Sequence, residues 1–386
     1  MPQHDAKKIL VFTDWYLPGY KAGGPIRSIA NLVRRLDLDW SVVTSDTDHN
    51  ESTPYPDIEP NKWMHGSQNE RVIHLSSDYQ TRKQIRSLIR EYDYDYFYIN
   101  SLFSVKFALT PLRVLKREGK LDKTILAPRG MLKSGALSVK SRKKSIFLKA
   151  AKSIGLYKGI TWHATNLAEK TEIVEHFGEV KVKIAPNLVI LPKEMPSFPK
   201  KSPKSLRVVS IARVSPEKNT LGAIEAFAKA FSKEDNVQFD FYGTLQNEEY
   251  LNQCKEAAAP LGDKILFKGP IHSNEIAGTL QQYHLFFLPT LGENFGHAIM
   301  ESLMNATPVL ISNTTPWRGL KNHDAGWDLP LDNNKFAKKL RKMLEMDEET
   351  YRTKCDGAYE FTQKVHKYSG DVKKSYQLFK SIRRVE

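Results

Sequence analysis

The chain has 386 residues, of which 40% are apolar and 26% charged, so it is long enough for two domains and has the composition of a soluble globular protein. No apolar run approaches the roughly 20 residues that a membrane-spanning helix needs, and the polar start of the chain lacks the apolar region of a signal peptide. Cys254 and Cys355 stand far apart without a CxxC motif, which argues against a zinc site and favours a reducing compartment.

The net charge of +14 predicts an anionic partner, which could be nucleotide phosphate, anionic lipid or nucleic acid. The positive charge is concentrated in residues 123–168, a segment without any acidic residue. Its basic residues are Lys123, Arg129, Lys133, Lys140, Arg142, Lys143, Lys144, Lys149, Lys152 and Lys158.

The first half of the chain alternates strand-like and helix-like segments, as in a doubly wound parallel sheet. The predicted strands are Lys8–Thr13, Trp40–Ser45, Arg71–Leu75, Asp95–Ile99, Thr124–Ala127, Ile160–Ala164 and Lys181–Ala185. The predicted helices are one that starts at Pro25, Thr81–Tyr92, Val105–Arg117 and Ser141–Ile154. The polar, proline-bearing segment Asp46–Asn69 is expected to be an ordered loop.

The first strand leads to a loop that ends in Gly23-Gly24, and the helix follows with Pro25 in its first turn. This is the first crossover of a doubly wound sheet, and its loop lies at the edge where such sheets bind ligands. A Gly-Gly pair alone is a weak indicator of phosphate binding, because most such pairs are ordinary turns.

A linker rich in proline and lysine, Asn187–Ser205, precedes a second alternating set. Its predicted strands are Leu206–Ala212, Val237–Gly243, Lys264–Lys268, His284–Pro289 and Pro308–Ile311, and its predicted helices are Thr220–Phe231, His297–Asn305, Lys335–Leu344 and a terminal region Tyr359–Arg383. Between the first strand and helix of this set, Arg213 and Lys218 form a pair that suits a diphosphate. A solvated turn is the alternative for such a pair.

The segment Glu293–Glu301 places two acids eight positions apart around Gly296, between a buried strand and a helix. Gly292 and Gly296 allow the backbone to approach a ligand closely, and free N–H groups at the helix start suit a phosphate or a sugar oxygen. Two carboxylates on one side of a polar ligand can hold its hydroxyl groups.

This segment resembles the E-x7-E signature of family 4 glycosyltransferases, which have the GT-B fold. In that family a strand ending in Pro-Ser/Thr leads to Glu-Gly/Asn-Phe-Gly, then to a helix containing Glu, then to a Thr-Pro-Val strand. The corresponding pieces here are Leu288-Pro289-Thr290, Glu293-Asn294-Phe295-Gly296, Glu301-Ser302-Leu303 and Thr307-Pro308-Val309-Leu310. The Arg213–Asn219 turn also resembles the family's Gly-Arg-(x4)-Lys-Gly segment, with Ala212 and Asn219 where glycine is usual.

The resemblance implies an α/β protein of the GT-B fold, with two Rossmann-like doubly wound domains facing a central cleft. The first domain, residues 1–188, would bind the acceptor, and the second, residues 189–362, the nucleotide sugar. A C-terminal helix at residues 363–386 would return to the first domain.

The resemblance also implies roles for individual residues. Glu293, Arg213 and Lys218 would be the catalytic residues. Glu293 would position the donor sugar, Arg213 and Lys218 would stabilise the diphosphate together with the helix start at Gly296, and Glu301 would bind the ribose. The other donor-binding residues would be Gly23, Gly24, Gly243, Gly269, Ile271, Asn294 and Phe295. The acceptor side would contain Arg27, Asn100, Arg129 and His163, with Arg129 near the point where many family members have a histidine.

The activity implied is that of a metal-independent, retaining hexosyltransferase without a cofactor, which uses a nucleotide diphosphate sugar as its donor. Its acceptor would be a glycan or a lipid-linked glycan of bacterial polysaccharide synthesis. The alternatives are a GT-B epimerase or phosphorylase and, from another class, a basic nucleic-acid-binding protein, which no binding-module motif supports.

The predicted helix Ser141–Ile154 carries an apolar arc opposite basic residues, as in a helix that lies on an anionic membrane surface. The arc contains Ile146, Phe147, Ala150, Ala151 and Ile154. The alternative is a helix that packs on the core with a solvated basic back. The sequence therefore predicts a cytoplasmic protein that attaches peripherally to the inner face of the membrane.

Overall fold

The computed structural model describes residues 6–68, 70–133, 147–148, 151–245 and 247–379, without the side chains of Tyr368 and Ser369. The chain divides into two compact units. The first comprises Met1–Ile190 together with Gly370–Glu386, and the second comprises Leu191–Ser369. Each unit is built on a sheet of mainly parallel strands with helices, so the predicted class of two α/β domains is confirmed.

The first unit contains an eight-stranded sheet. Its strands are β1 (Lys8–Phe12), β2 (Asp39–Ser45), β3 (Trp63–His65), β4 (Arg71–Leu75), β5 (Tyr96–Ile99), β6 (Thr124–Leu126), β7 (Thr161–Ala164) and β8 (Val182–Ile184). They lie in the order β3-β4-β2-β1-β5-β6-β7-β8, and every pair is parallel except β3 with β4. Strand β3 lies within the predicted loop 46–69 and corrects that prediction, because three residues are too few to give a readable alternation.

Both faces of this sheet are buried. Along β1, Leu10 and Phe12 point into one apolar cluster and Ile9 and Val11 into another, as the alternation of a strand requires. The helices described before the linker are α1 (Gly24–Arg35), α2 (Arg82–Glu91), α3 (Thr110–Arg117) and α4 (Leu167–Phe177). Helix α1 starts with Pro25 in its first turn, as predicted.

The second unit contains a six-stranded sheet, all parallel, in the order β11-β10-β9-β12-β13-β14. Its strands are β9 (Ser205–Ile211), β10 (Asn236–Tyr242), β11 (Ile265–Gly269), β12 (Leu285–Leu288), β13 (Val309–Ser312) and β14 (Gly326–Leu329). Its helices are α5 (Thr220–Ala230), α6 (Glu248–Ala258), α7 (Ile276–Leu280), α8 (His297–Met304), α9 (Asn333–Leu344) and α10 (Glu348–Ser369). Strand β14 and helices α4, α6 and α7 were not predicted from the sequence.

The predicted terminal helical region is two helices, because Gly370 adopts a left-handed conformation with φ 59° and ends α10. The following helix, α11 (Asp371–Leu378), belongs to the first unit. There, the Phe379 ring lies 5.4 Å from the Trp40 ring, and Tyr376 is buried in the same cluster. This packing fixes the end of the described chain to the sheet of the first unit.

Most of the predicted amphipathic helix, residues 141–146 and 149–150, lies outside the described residues. Three members of its apolar arc are described, and two of them pack inward: Phe147 against Phe103, with ring centroids 5.9 Å apart, and Ala151 in the core. Ile154 is exposed. The arc is therefore a core-packing face at Phe147 and Ala151, which corrects the prediction of a membrane-facing arc at these positions. None of the helices in the described ranges is long and apolar enough to cross a membrane.

Candidate functional site

Two turns lie at the point where the strand order of the second sheet reverses. Strand β9 is the first strand of the unit in sequence, with β10 on one side and β12 on the other. The turn 213–219 follows β9 and the turn 289–296 follows β12, so both lie at the carboxyl edge of the sheet. In open parallel sheets this reversal point is where ligands bind.

Backbone and side-chain hydrogen bonds join these two turns. The Glu217 carbonyl accepts from the Leu291 N–H and from the Thr290 hydroxyl, both at 3.0 Å. The Asn219 amide donates to the Pro289 carbonyl at 3.0 Å. The two turns therefore form one rigid assembly, although they are far apart in the sequence.

An ion pair connects the predicted diphosphate and donor-sugar residues. The Lys218 ammonium lies 2.5 Å from a carboxylate oxygen of Glu293, and the two side chains are 20% and 11% exposed. Because both groups are partly withdrawn from water, their charges interact more strongly than in an exposed pair. The structure thus brings together two of the residues predicted to be catalytic.

The third predicted catalytic residue, Arg213, is exposed, and in the described part of the chain its guanidinium makes no hydrogen bond or ion pair. It still acts on its surroundings electrostatically. Burial raises the pKa of Glu217, but backbone hydrogen bonding and the charges of Arg213 and Lys218 outweigh it, so the pKa is lowered from its ordinary value. The Glu217 carboxylate is therefore ionised near neutral pH, in the same turn as these two cations.

Left-handed backbone explains the residue types at two turn positions. Asn219 has φ 55° and ψ 44° immediately before α5, a conformation that asparagine tolerates better than most residues. Gly296 has φ 78° immediately before α8. Asn219 can thus adopt the backbone of the glycine that stands at this position in the segment it resembles.

The ends of β9, β10 and β11 approach closely at Gly243. A side chain on Gly243 would lie 1.9 Å from the Ala212 carbonyl oxygen, and the Gly243 N–H donates to the Gly269 carbonyl at 2.8 Å. Gly243 is therefore required for this edge of the sheet to form. Ile271 follows Gly269 by two residues and is half-buried.

The remaining predicted donor residues lie on the turn before α8 and on α8 itself. Asn294 and Phe295 are half-buried in the turn, and Glu301 is half-buried in the second turn of the helix. Trp317 was not predicted as a site residue. It donates its indole N–H to the Phe295 carbonyl at 2.5 Å, and the two rings lie 5.1 Å apart. No local signal could reveal this residue, because it lies 22 positions away in the sequence.

The first unit has a corresponding reversal point between β1 and β5. Gly23, with φ 66°, ends the turn after β1, Gly24 is the first residue of α1, and Arg27 is half-buried in the first turn of α1. Asn100 follows β5, is buried, and donates to the Pro25 carbonyl at 3.3 Å. Asn100 therefore fixes the start of α1 to the edge of the sheet.

Arg129 follows β6 and joins this edge through three hydrogen bonds. Its Nε donates to the Asn100 side-chain oxygen at 2.7 Å, its Nη2 donates to the Tyr98 hydroxyl at 2.8 Å, and its Nη1 donates to the Asn187 side-chain oxygen. The predicted acceptor residues Asn100 and Arg129 are thus in direct contact. Tyr98 and Asn187 were not predicted.

His163 lies beneath this group and is 2% exposed. One ring nitrogen, Nδ1, lies 2.6 Å from the Tyr98 hydroxyl, and the other, Nε2, lies 2.8 Å from the Ala185 carbonyl oxygen. Burial, with a smaller contribution from the Arg129 charge, lowers the pKa of His163 to about 3. Because both ring nitrogens are used inside the protein, His163 supports Tyr98, and the prediction that it faces an acceptor is corrected.

No group of three or more histidine, cysteine, aspartate or glutamate side chains in the described ranges could hold a metal ion. Cys254 and Cys355 are buried and unpaired, and burial raises their pKa values to about 11 and about 12. Neither thiol is therefore a nucleophile near neutral pH.

The sequence model of the family "Glycosyl transferases group 1" matches residues 193–357. Residues 193–357 are therefore similar to a glycosyltransferase group 1 domain. They contain both joined turns and the Lys218–Glu293 ion pair. The alpha-monoglucosyldiacylglycerol synthase of Streptococcus pneumoniae (strain ATCC BAA-255 / R6) is 30% identical to this chain over 146 residues, which is 34% of this chain. The alignment spans only 32% of the length of that relative.

Two solved structures match the structure of this chain over almost its whole length. Sucrose-phosphate synthase from Thermosynechococcus elongatus has a TM-score of 0.70 at 17% identity, covering 97% of this chain and 98% of its own. HepE from Anabaena, solved with UDP and glucose, has a TM-score of 0.66 at 16% identity. The match covers 96% of this chain and 97% of the HepE chain. These similarities show the fold, which is the GT-B fold of two α/β domains.

Proposed function

We propose that the protein is a retaining glycosyltransferase that moves a sugar from a nucleotide diphosphate sugar to an acceptor hydroxyl. The observation that carries this proposal is the Lys218–Glu293 ion pair at the reversal point of the second sheet, inside the group 1 domain. The HepE structure, which holds UDP and glucose in the same fold, supports a nucleotide sugar as the donor. No specific observation favours an epimerase, a phosphorylase or a nucleic-acid-binding protein.

Lys218 and Arg213 would bind the donor diphosphate, together with the N–H groups at the start of α8 beside Gly296. A diphosphate has more negative charge than one carboxylate, so it would compete with Glu293 for Lys218. Displaced in this way, the Glu293 carboxylate would accept hydrogen bonds from hydroxyl groups of the donor sugar. Donor binding would therefore switch Glu293 from an ion pair to a sugar ligand.

Transfer requires the sugar–phosphate bond to break while the diphosphate accumulates negative charge. Lys218, Arg213 and the backbone N–H groups would stabilise that charge, which is the main contribution that such a site makes to catalysis. The acceptor hydroxyl would attack from the face that the diphosphate leaves and pass its proton to the departing phosphate oxygen, and this preserves the anomeric configuration. Because Lys218 and Arg213 would supply the positive charge, transfer would not need a metal ion. Because the acceptor hydroxyl would attack the sugar directly, it would not need a covalent nucleophile.

The remaining donor contacts follow from position. Glu301, in the second turn of α8, would bind the ribose, and Gly269 and Ile271 would lie near the base. Asn294 and Phe295 would line the turn, and Gly23, Gly24 and Gly243 would allow close approach of the backbone.

On the acceptor side we propose Arg27, Asn100 and Arg129, and an acceptor that is a lipid-linked glycan of polysaccharide synthesis. The Streptococcus pneumoniae relative, a synthase named for a glucosyl diacylglycerol, supports a lipid-bearing acceptor. Attachment to an anionic membrane would then depend on the basic residues of segment 123–168, because Phe147 and Ala151 are used in the core.

The proposal is tested with a panel of nucleotide sugars. One donor should raise the melting temperature, because a ligand that binds only the folded state stabilises it. The same donor should be hydrolysed slowly without an acceptor, in the presence of EDTA, with the released sugar in its original anomeric form by NMR. A panel in which no nucleotide sugar binds, or a complete loss of turnover that added metal restores, would contradict the proposal.

A further inference from the structure

The guanidinium group of Arg129 is held in place by hydrogen bonds to uncharged side chains. Its three hydrogen bonds go to two side-chain amide oxygens, of Asn100 and Asn187, and to the Tyr98 hydroxyl. A guanidinium has five N–H groups, so two of them have no protein partner within the described residues. The residue is half-buried, so part of its surface remains open to solvent.

The carboxylate nearest in the hydrogen-bond network does not form an ion pair with Arg129. Glu169 is fully buried, and its two oxygens accept from the Gly130 N–H at 2.6 Å and from the N–H and hydroxyl of Thr165 at 2.7 Å. Glu169 therefore fixes the turn that carries Arg129. In the sequence, segment 123–168 adds nine further basic residues and no acid.

The backbone also holds Arg129 in place. The residue has φ 55°, a left-handed conformation that is uncommon for residues other than glycine, asparagine and aspartate. Asn100 connects its guanidinium to the Pro25 carbonyl at the start of α1. Arg129 is thus preorganised at the ligand edge of the first sheet, and a ligand need not break an ion pair to reach it.

We propose that Arg129 binds an anionic group, a phosphate or a carboxylate, on the acceptor substrate. This inference rests on the proposed transferase function and names the class of acceptor. The planar fork of a guanidinium matches the oxygens of phosphate and carboxylate, whereas a neutral hydroxyl would leave its charge uncompensated. Neutral supporting residues orient the cation and leave its charge for the ligand.

The test measures binding of glucose 6-phosphate, glucuronate and glucose by thermal shift and calorimetry. The two charged sugars distinguish a phosphate from a carboxylate, and glucose is the neutral reference. Wild-type protein should bind one charged sugar at least about tenfold more tightly than glucose. Equal binding of charged and neutral sugars would overturn the inference.

Variants separate the charge from the fold. Arg129→Gln removes the cation, and Asn187→Asp gives it a carboxylate partner of nearly the same shape. Each should reduce binding of the charged sugar by about tenfold, and Arg129→Lys should retain part of it. Arg113→Gln, which removes an exposed arginine from α3, should leave binding unchanged. Anion binding that survives Asn187→Asp in a folded protein would contradict the inference.

The affinity of the same variants for nucleoside diphosphate tests the two proposals separately. If nucleoside diphosphate binds equally to all variants while the charged sugar depends on Arg129, both proposals are supported. If no nucleotide binds but the charged sugar still depends on Arg129, the transferase proposal fails and the anion site remains. If nucleotide binds and neither charged sugar is preferred, the anion site alone fails.

Discussion

At the scale of single residues, Lys218 and Glu293 are paired with each other through the same charged groups that would bind the donor. Their partly buried ion pair, 2.5 Å long, neutralises both charges when no donor is bound. The two residues should therefore respond differently to substitution. Loss of the lysine removes a ligand for the diphosphate, whereas loss of the carboxylate charge removes a competitor for the lysine.

Lys218→Ala should weaken binding of nucleoside diphosphate by roughly 1.5–3 kcal/mol, the contribution of a charge-assisted hydrogen bond. Glu293→Gln should retain or increase that affinity while largely abolishing sugar transfer. Calorimetry with the nucleoside diphosphate and a transfer assay measure the two effects. Lys229→Ala, an exposed lysine near the end of α5, is the control with the same loss of charge and should change neither. Equal weakening of binding by Lys218→Ala and Glu293→Gln would show that the two groups do not compete.

At the scale of elements, the turn before α8 is held from outside by the loop that follows β13. Trp317 is 9% exposed and donates to the Phe295 carbonyl, while Ser312 and Thr314 donate to the Thr290 carbonyl at 2.5 and 2.8 Å. The turn that carries Glu293 is therefore positioned by a neighbouring strand end and its loop. Weakening this support should affect ligand binding more than it affects the fold.

Trp317→Phe should keep the aromatic contact with Phe295 and lose its hydrogen bond. A fully buried carbonyl left without a donor costs about 1–3 kcal/mol, and the half-buried Phe295 carbonyl should cost less. Part of this cost should appear as weaker donor binding and slower transfer. Trp40→Phe is a matched control, because Trp40 donates to the Leu36 carbonyl at 3.1 Å in the first unit. It should lose similar stability without a change in donor affinity. Identical donor affinity in Trp317→Phe and wild type would exclude the positioning role.

At the scale of the whole molecule, each unit contains a buried histidine with the same bonding pattern. His284 accepts from the Arg207 N–H at Nδ1 and donates from Nε2 to the Lys200 carbonyl, while His163 uses Tyr98 and Ala185 in the same way. Burial lowers the pKa of His284 to about 4 and that of His163 to about 3. Protonation would replace the acceptor at Nδ1 by a donor, so both rings are neutral in the folded protein.

Stability should therefore decrease as the pH falls below about 6.5. In that range the unfolded chain binds a proton at each histidine and the folded protein does not, down to the folded pKa values of about 3 and about 4. The loss should be about 1.4 kcal/mol per pH unit for each histidine. Urea unfolding at pH 7.5 and pH 5.5 measures the difference. His163→Gln or His284→Gln should reduce this dependence, whereas His272→Gln, at an exposed position, should not. A stability that is constant over this range would contradict the assignment.

The sequence by itself determined the local structure of most of the site. Short apolar runs gave the buried parallel strands, and the turn residues after them, Gly23, Asn219, Gly243 and Gly296, match the left-handed or crowded backbone observed. The strand–turn–helix order around Glu293 was readable for the same reason, since its strand, turn and helix are contiguous. Strand β3 gives no readable pattern because it is short, and helix α4 gives a weak one because Ile173 and Phe177 are its only buried apolar residues.

Only the tertiary structure decided which residues meet. Lys218 and Glu293 are 75 positions apart, and Arg129 and Asn187 are 58 apart. Their proximity depends on the order of strands in each sheet, which is set by burial of both sheet faces and by crossover connections that no local pattern encodes. The same packing buries His163, which was predicted to lie on the acceptor side, and places it in a hydrogen bond with Tyr98. It also left Arg129 with neutral partners, because the amide oxygens of Asn100, after β5, and Asn187, after β8, reach its guanidinium at the same edge of the sheet.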